Sequence, residues 1–404
     1  MQLVEKHIIK PNHKLFKTCD ALCFSSKNIY NYNLYLIRKE YEESKTYTIL
    51  NNSYPYLKDK DCFKQLPPKV AQTTLRSVHA VCQSFFGMLR SEKVENKNVK
   101  FPSFLNKEHG RHLTTFNNQT ISKKIHSKYH KIKLSQCDIE FYTKIDDFNS
   151  INCVRIVPQL EQYTIEVVYT IPDVEPLKSK RTYAAIDLGV SNLATVTFST
   201  GKQPLIINGK PLKSINQYYN KQVSYYKSRL ELVNKKKSSH RLKKLTNKRN
   251  NKVNNYLHKA SKTIVSELTS NNITSLVIGK NSEWKQNCSI GKANTQNFIQ
   301  IPHSRFIDMI VYKCEKVGIK VKLQEESYTS KCSFLDLEDI CKHEEYKGSR
   351  IKRGLFKSSS GRYINADVNG SFNILRKAIP NVFNHGIEGL VVNPIVIKTI
   401  NKFH

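Results

Sequence analysis

The stretch that most constrains the fold of this chain is Thr182–Ser199, which reads TYAAIDLGVSNLATVTFS. A short apolar run ends on the carboxylate of Asp187, a Leu188–Val190 turn follows, and a second apolar run covers Leu193–Phe198. This pattern predicts a β-hairpin with an acid at its end. A carboxylate near the end of a buried strand is costly unless something pairs with it, and a divalent cation would be a useful partner. The alternative is a turn aspartate that hydrogen-bonds its own loop.

A second acid stands far downstream in a comparable setting. Asp367 belongs to the run Asn365–Leu375, NADVNGSFNIL, and is predicted to lie at the start of a helix. If the fold brings Asp187 and Asp367 together, the two acids could share metal ions. Between them, Tyr328–Phe334 reads YTSKCSF.

The hairpin run, the YTSKCSF run and the NADVNGSFNILRKA run, in this order, resemble the TnpB family. TnpB proteins are compact RNA-guided nucleases of bacterial insertion sequences, related to the Fanzor proteins and the type V CRISPR effectors. The motifs cover Tyr183–Ala378, whereas over the first 175 residues the resemblance rests on size, charge and pattern. The resemblance implies an RNA-guided DNA endonuclease of a transposable element, with guide RNA and target double-stranded DNA as partners.

The charge balance also indicates a nucleic-acid partner. Lys and Arg number 66 against 33 Asp and Glu, which gives a formal net charge of +33. Such an excess favours a polyanion, and nucleic acid rather than a membrane. No apolar run approaches the roughly 20 residues of a transmembrane helix, and the first residues lack the apolar core of a signal peptide. We expect a cytoplasmic protein, nucleoid-associated if bacterial, whose ten cysteines are reduced.

Residues 1–175 are predicted to form a β-rich domain with a helical lobe inserted over about residues 20–95. Apolar spacing predicts helices from Asp20 to about Ser44 and over Lys69–Arg90. Strands are expected at Gln2–Lys10, Val99–Phe104, His130–Leu134, Ile139–Thr143, Cys153–Val157 and Tyr163–Thr170, as a small antiparallel barrel or sheet. By resemblance this is a wedge domain, a β-barrel, with a recognition lobe, which in the family hold the guide RNA and read a short motif beside the DNA target. The alternative is a β-rich module without a separate role.

Residues 176–404 are predicted to form the nuclease domain, so that the whole chain is α/β and α+β multidomain. After the hairpin come a strand at Asn272–Ile278, a helix at Arg305–Val317 and a strand at Lys320–Gln324. This order is typical of an RNase H-like domain, which the resemblance identifies as RuvC. Such nucleases use three or four carboxylates around two Mg²⁺ ions about 4 Å apart.

A strongly basic insertion, residues 210–268, interrupts this domain. Lys210–Lys262 contains 16 basic residues and the single acid Glu231. The apolar spacing predicts a long helix broken near Ser238 and a second helix through about Leu268. Its cations are either a solvated face or, as we predict, phosphate contacts that position a nucleic-acid backbone. The predicted contacts are Lys221, Lys227, Arg229, Lys235, Lys236, Lys237, Arg241, Lys243, Lys244, Lys248 and Arg249.

One expected acid is missing from its usual place. In most TnpB relatives a glutamate ends the strand equivalent to Ser275–Ile278, whereas this chain continues with Gly279. The candidates to replace it are Glu283, in the following loop, and Glu325 and Glu326, after the next strand. We prefer the pair after the next strand, because acids at the ends of adjacent strands reach almost the same point. Strand alternation lets only one of the pair face the metals, and we favour Glu326 because it lies nearer the chain's turn. The predicted catalytic residues are thus Asp187, Glu325, Glu326 and Asp367, with Asp187, Glu326 and Asp367 as metal ligands.

Residues 332–363 fall where relatives carry a four-cysteine zinc ribbon. This chain has only Cys332, Cys341 and His343 there, without Cys-x-x-Cys pairs. Because a tetrahedral structural zinc needs four ligands, we do not expect zinc at this insertion.

Two other functions remain open at this point. A catalytically inactive RNA-guided DNA-binding repressor would need no glutamate at either strand end. An RNA-independent DNA transposase would use the same fold and metals, and it would purify without RNA.

Overall fold

The computed structural model describes residues 1–91, 99–178, 181–234, 238–281 and 292–397. The chain divides into two compact units, Met1–Pro172 and Asp173–His404, and each unit mixes helices with strands. Within the described ranges, every helix is too short or too polar to cross a membrane.

The first unit contains an antiparallel sheet and a separate two-stranded ribbon. Its strands are β1 (Gln2–Ile9), β2 (Thr114–Asn117), β3 (Lys131–Lys133), β4 (Glu140–Tyr142), β5 (Ile151–Gln159) and β6 (Gln162–Thr170). The sheet has the order β1-β6-β5-β2, and β3 pairs with β4. In the described part of this unit no pairing joins β1 to β2, so the wedge barrel stays a prediction.

Two long helices dominate the rest of the first unit. The helices are α1 (Phe16–Ser44), α2 (Thr48–Asn51), α3 (Tyr54–Leu57), α4 (Asp61–Lys64), α5 (Pro68–Arg90) and α6 (Lys123–Tyr129). On α5 the apolar stripe that includes Val70, Leu75 and Val78 is buried, which explains why apolar spacing predicted this helix. The prediction of a strand at Val99–Phe104 is wrong, because this segment is irregular.

A six-stranded sheet forms the centre of the second unit. Its strands are β7 (Tyr183–Leu188), β8 (Asn192–Phe198), β9 (Leu205–Asn208), β10 (Ser275–Gly279), β11 (Lys320–Gln324) and β15 (Ile395–Ile397), in the order β11-β10-β7-β8-β9-β15. The hairpin of β7 and β8 is antiparallel, as predicted, whereas β10 runs parallel to both β7 and β11. A small separate sheet contains β12 (Ser349–Lys352), β13 (Leu355–Lys357) and β14 (Tyr363–Asn365).

Helices cover both faces of the central sheet. They are α7 (Lys210–Asn234), α8 (His240–Ser270), α9 (Lys292–Gln300), α10 (His303–Glu315) and α11 (Ala366–Ala378). Ala184 and Ile186 pack into the core formed with α8 and α10, whereas Ala185 packs into the core formed with α11. Because side chains alternate along a strand, Asp187 lies on the α11 face.

Candidate functional site

Three parallel strands end together at one edge of the central sheet. Ile278 of β10 pairs with Ile186 of β7, and Gly279 pairs with Gln324 of β11. The adjacency of β10 and β11 that the sequence argument required is therefore present. Asp187, Gly279 and the residues that follow Gln324 consequently meet at the same edge.

The first turn of α11 brings Asp367 to this edge. The Asn365 side chain caps the helix by accepting hydrogen bonds from the backbone N–H groups of Asp367 (3.0 Å) and Val368 (3.2 Å). A carboxylate is favourable at this position because of the helix dipole. Asp367 Oδ2 accepts a hydrogen bond from Asn192 Nδ2 at 2.6 Å, and Arg350 Nη2 lies 3.7 Å from Asp367 Oδ1.

Close contact between α11 and the hairpin encloses Asp187. A Cβ atom at Gly370 would lie only 2.8 Å from Asp187 Oδ2, so only glycine lets the helix come this close to the carboxylate. Ser371 Oγ, one residue further on, lies 3.1 Å from the carbonyl oxygens of both Ala185 and Thr195, which share its single hydroxyl hydrogen. The helix is therefore locked over the strand that carries Asp187.

Glu326 reaches the same edge from the turn after β11. Its backbone N–H donates to Asn281 Oδ1 at 2.9 Å. A Cβ atom at Gly279 would overlap Glu326 Oε1 and would lie 2.7 Å from Ile374 Cδ1. The Glu326 carboxylate thus occupies space that any side chain at position 279 would need, so the absence of the strand-end glutamate and the presence of Glu326 are sterically coupled.

Glu325 is held elsewhere. Its Oε2 accepts hydrogen bonds from Lys377 Nζ at 2.6 Å and from Ser327 Oγ at 2.5 Å. The hydrogen bonds from Lys377 and Ser327 lower the pKa of the Glu325 carboxyl to about 2. The structure therefore brings Asp187, Glu326 and Asp367 together and keeps Glu325 in a surface ion pair.

The electrostatics of the three acids reflect their crowding. Burial, followed by the nearby charges of Glu326 and Asp367, raises the pKa of Asp187 well above its ordinary value, while Arg350 opposes the shift. Burial, with a contribution from Glu325, raises the pKa of Glu326 to about 7. The buried Glu326 Oε1 accepts no hydrogen bond from the described residues.

These residues fit a divalent cation in their chemistry. Hard carboxylate oxygens are the ligands that Mg²⁺ prefers, and an opposite charge would relieve both the repulsion at Asp187 and the unsatisfied Glu326 oxygen. No group of three or more His, Cys, Asp or Glu side chains in the described ranges is already spaced to hold a metal. The acids thus lie at one edge of the sheet, but their present spacing does not form a complete metal site.

The basic insertion forms the two helices α7 and α8. Most of the predicted phosphate contacts that the structure describes are exposed: Lys221, Lys227, Arg229, Arg241, Lys244 and Lys248. Lys243 is partly covered. Lys235, Lys236 and Lys237, like the alternative acid Glu283, lie outside the described residues.

Arg249 has a different role within this insertion. Its guanidinium donates to Asn216 Oδ1 at 2.8 Å and to the Gln300 carbonyl at 2.9 Å, and burial lowers its pKa. These bonds tie α8 to its neighbours, so Arg249 has fewer donors to offer a phosphate than the exposed cations have.

Aromatic rings accompany some of the exposed arginines. The Arg241 guanidinium lies 4.3 Å from the centre of the Tyr226 ring, and that of Arg229 lies 5.6 Å from the Tyr225 ring. Arginine and tyrosine side by side offer both a charge for phosphate and a flat surface for a base.

A polar cavity of about 280 Å³ lies in the first unit, between the start of α5 and β2. It is lined by Lys69, Gln72, Thr73, Arg76, Asn117 and Gln119. Asn117 Oδ1 is buried and accepts no hydrogen bond from the part of the chain that the structure describes. The cavity thus combines two cations with amides that can both donate and accept hydrogen bonds.

The insertion at residues 332–363 is organised around a buried acid. Glu338 is only 2% exposed, and its carboxylate accepts hydrogen bonds from the backbone N–H groups of Ser333 (2.7 Å) and Lys347 (2.8 Å). Cys341 Sγ lies 3.4 Å from His343 Nε2, while Cys332 Sγ contacts the Cys341 carbonyl at 3.7 Å. Two thiols and one imidazole do not fit a four-ligand zinc site.

Sequence reasoning missed several residues around the acids. Asn192 offered a signal, because it stands inside the hairpin motif, and Gly370 stands inside the Asp367 motif. Asn281 and Arg350 offered none, because they approach Glu326 and Asp367 from loops and strands that only the fold brings near.

Comparison with known families gives two matches. The family model OrfB_IS605, described as a probable transposase, matches residues 166–285, and a model of the Cas12f1-like TNB domain matches residues 303–374. A TnpB-like protein, ORF457 of Acidianus two-tailed virus, is 23% identical over 216 residues, or 50% of this chain. The match spans 43% of that relative's length. The resemblance to the TnpB family is confirmed.

Solved structures give weaker likenesses. A Cas12f1–sgRNA–target DNA complex is 14% identical, with a TM-score of 0.37 over 92% of this chain and 98% of the other. Alicyclobacillus acidoterrestris C2c1 in complex with single-guide RNA is 8% identical, with a TM-score of 0.42 over 90% of this chain and 70% of the other. Both scores are too low to carry an argument.

Proposed function

We propose that this chain, whose resemblance to the TnpB family is confirmed, is an RNA-guided, Mg²⁺-dependent DNA endonuclease encoded by a transposable element. The central sheet of the second unit is then an RNase H-like domain of the RuvC type. The observation that carries the proposal is the meeting of Asp187, Glu326 and Asp367 at one sheet edge, with Glu326 in the space freed by Gly279.

Asp187, Glu326 and Asp367 would hold two Mg²⁺ ions. Bound Mg²⁺ lowers the pKa of water and stabilises negative charge on phosphate oxygens. Asn192 orients Asp367 by its hydrogen bond, and Arg350, half-exposed beside Asp367, attracts a DNA phosphate to the acids. Asn281 holds the backbone of Glu326.

Guide RNA and target DNA would bind through the remaining features. The exposed cations of α7 and α8 contact phosphates without reading sequence, and Tyr225 and Tyr226 stack on bases beside their arginines. In the first unit, the cavity between α5 and β2 reads the edges of bases next to the target, because Asn, Gln, Lys and Arg are the side chains that recognise base edges.

The inactive-repressor alternative leaves Glu326 unexplained. A partly buried carboxylate with a raised pKa, whose buried Oε1 accepts no hydrogen bond from the described residues, costs folding free energy. A protein that only binds DNA has no use for such an acid, whereas a nuclease needs it to hold a cation. The surroundings of Glu326 therefore favour cleavage.

The test starts from nucleic acid that purifies with the protein. We expect a defined RNA; exchanging its guide segment should redirect cutting to a matching DNA in Mg²⁺, with EDTA and a scrambled guide as controls. Cutting without RNA would favour the transposase, and guided binding without cutting in Mg²⁺ or Mn²⁺ would favour the repressor.

A further inference from the structure

The turn that carries Glu326 is closed by its own hydrogen bonds. We call residues 326–332 the Glu326 turn. The backbone N–H and the hydroxyl of Thr329 both donate to the Glu326 carbonyl, at 3.1 and 2.8 Å. Tyr328 adopts a positive φ of 66°, a conformation that non-glycine residues rarely keep unless the surrounding structure holds it.

Two asparagines of α11 hold the Glu326 turn in this conformation by hydrogen bonds. Asn373 Nδ2 donates to the carbonyls of Thr329 (3.0 Å) and Cys332 (2.7 Å). Asn369 Nδ2 donates to the Cys332 carbonyl at 2.9 Å, and Asn369 Oδ1 accepts from the N–H of Phe334 at 2.9 Å. Both asparagines are fully buried. Asparagine is a poor helix former, so two buried asparagines one helical turn apart indicate a specific hydrogen-bonding role.

The same helix carries Asp367 two residues before Asn369. A helix fixes the spacing of its residues, and here it anchors the Glu326 turn at one point and presents Asp367 at another. We propose that Asn369, Asn373 and Thr329 are positioning residues that hold Glu326 in register with Asp367. This inference rests on the proposed function, because it assigns the asparagines to the same cation site.

The competing explanation is that these bonds only anchor the insertion at residues 332–363. Asn369 fits both explanations, because its hydrogen bonds reach Cys332 and Phe334, where the Glu326 turn ends and the insertion begins. Among the residues that the structure describes, the Thr329 hydroxyl hydrogen-bonds only the carbonyl of Glu326. Thr329 therefore separates the two explanations.

The test uses Thr329→Val, which keeps the shape of the side chain and removes the hydroxyl. Thr197→Val is the matched control, because Thr197 is similarly buried and its hydroxyl also makes a hydrogen bond inside the second unit, to Ser371 Oγ of α11 (2.9 Å) rather than to the Glu326 turn. Thr329→Ser, which retains the hydroxyl, should restore the behaviour of the wild type. All variants are prepared as the full chain with its co-purifying RNA.

The first readout is Mn²⁺ binding, measured by electron paramagnetic resonance; only the binding sites that disappear in the Asp187→Ala variant are counted. The second readout is backbone hydrogen exchange. We expect Thr329→Val to weaken Mn²⁺ binding by about 10-fold or more, as for residues that orient metal ligands. Exchange should accelerate in the Glu326 turn, while melting temperature and RNA binding match those of Thr197→Val.

Equal Mn²⁺ affinity in Thr329→Val and Thr197→Val would overturn the positioning role, whatever their stability. Asn373→Ala should give a larger loss of Mn²⁺ affinity. If Asn373→Ala does not fold, Thr329→Val alone still decides the test. Unchanged Mn²⁺ binding in Asp187→Ala would instead refute the cation site itself, so the two failures are distinguishable.

Discussion

The acid edge of the central sheet and the basic surface of α7 and α8 belong to the same unit but are constructed in opposite ways. Each acid has its own fixed surroundings: Asp187 lies under Gly370, Glu326 beside Gly279, and Asp367 against Asn192. Most of the described cations, by contrast, stand exposed along two long helices. We therefore expect that one acid cannot be replaced by its neighbour, whereas the exposed cations act together and tolerate single losses.

The largest effect is expected from the acids themselves. Asp187→Ala and Asp367→Ala should abolish cleavage, because each removes an oxygen donor from the proposed cation site, while the exposed cations remain intact. Cleavage and guided DNA binding should be measured on the same preparations. Cutting at the wild-type rate by either variant would show that the proposed site is wrong.

The next effect concerns the space beside Glu326. Gly279→Ala places a methyl group where Glu326 Oε1 and Ile374 Cδ1 lie, so the carboxylate must move. We expect cleavage to fall by up to about 100-fold, the cost of misplacing a reacting group by about 1 Å. Gly87→Ala on α5 is the matched control, because a Cβ atom there meets no atom within 4 Å. Equal cleavage rates for Gly279→Ala and Gly87→Ala would show that the space at Gly279 does not matter for the site.

The smallest effect is expected from a single cation. Lys221→Ala should lower the slope of log affinity against log salt by about 1, and affinity should fall by a similar factor for all sequences. The wild type itself should lose affinity by orders of magnitude between low and moderate salt, as expected if about six phosphates are neutralised. A nearly flat salt dependence in the wild type would contradict a phosphate-binding surface.

Much of the fold could be predicted because the decisive signals are local. Apolar alternation marks the β7–β8 hairpin, and helical spacing marks α5, α7 and α8. The short helices α2 and α3, the strand β2 and the helix α6 were missed, because elements of four to seven residues leave little periodicity to detect.

The candidate site was less predictable than the fold. Asp187 and Asp367 each stand in a motif, whereas the choice between Glu325 and Glu326 depends on contacts across the sheet edge. Glu325 forms an ion pair with Lys377 of α11, and the missing side chain at Gly279 leaves room for the carboxylate of Glu326. Neither contact has a counterpart in the local sequence. Arg249 shows the same limit, since only the structure reveals its bonds to Asn216 and Gln300.

The most direct measurement compares Glu326→Gln with Glu325→Gln in guided DNA cleavage. Both changes keep the shape of the side chain and remove its charge, and the two residues are neighbours in sequence, so their effects on folding and expression can be compared directly. Cleavage in Mg²⁺ and in Mn²⁺, guide RNA binding and DNA binding are recorded for each variant. We expect that Glu326→Gln binds but does not cut, while Glu325→Gln cuts like the wild type. Full cutting by Glu326→Gln would show that Glu326 is not part of the site.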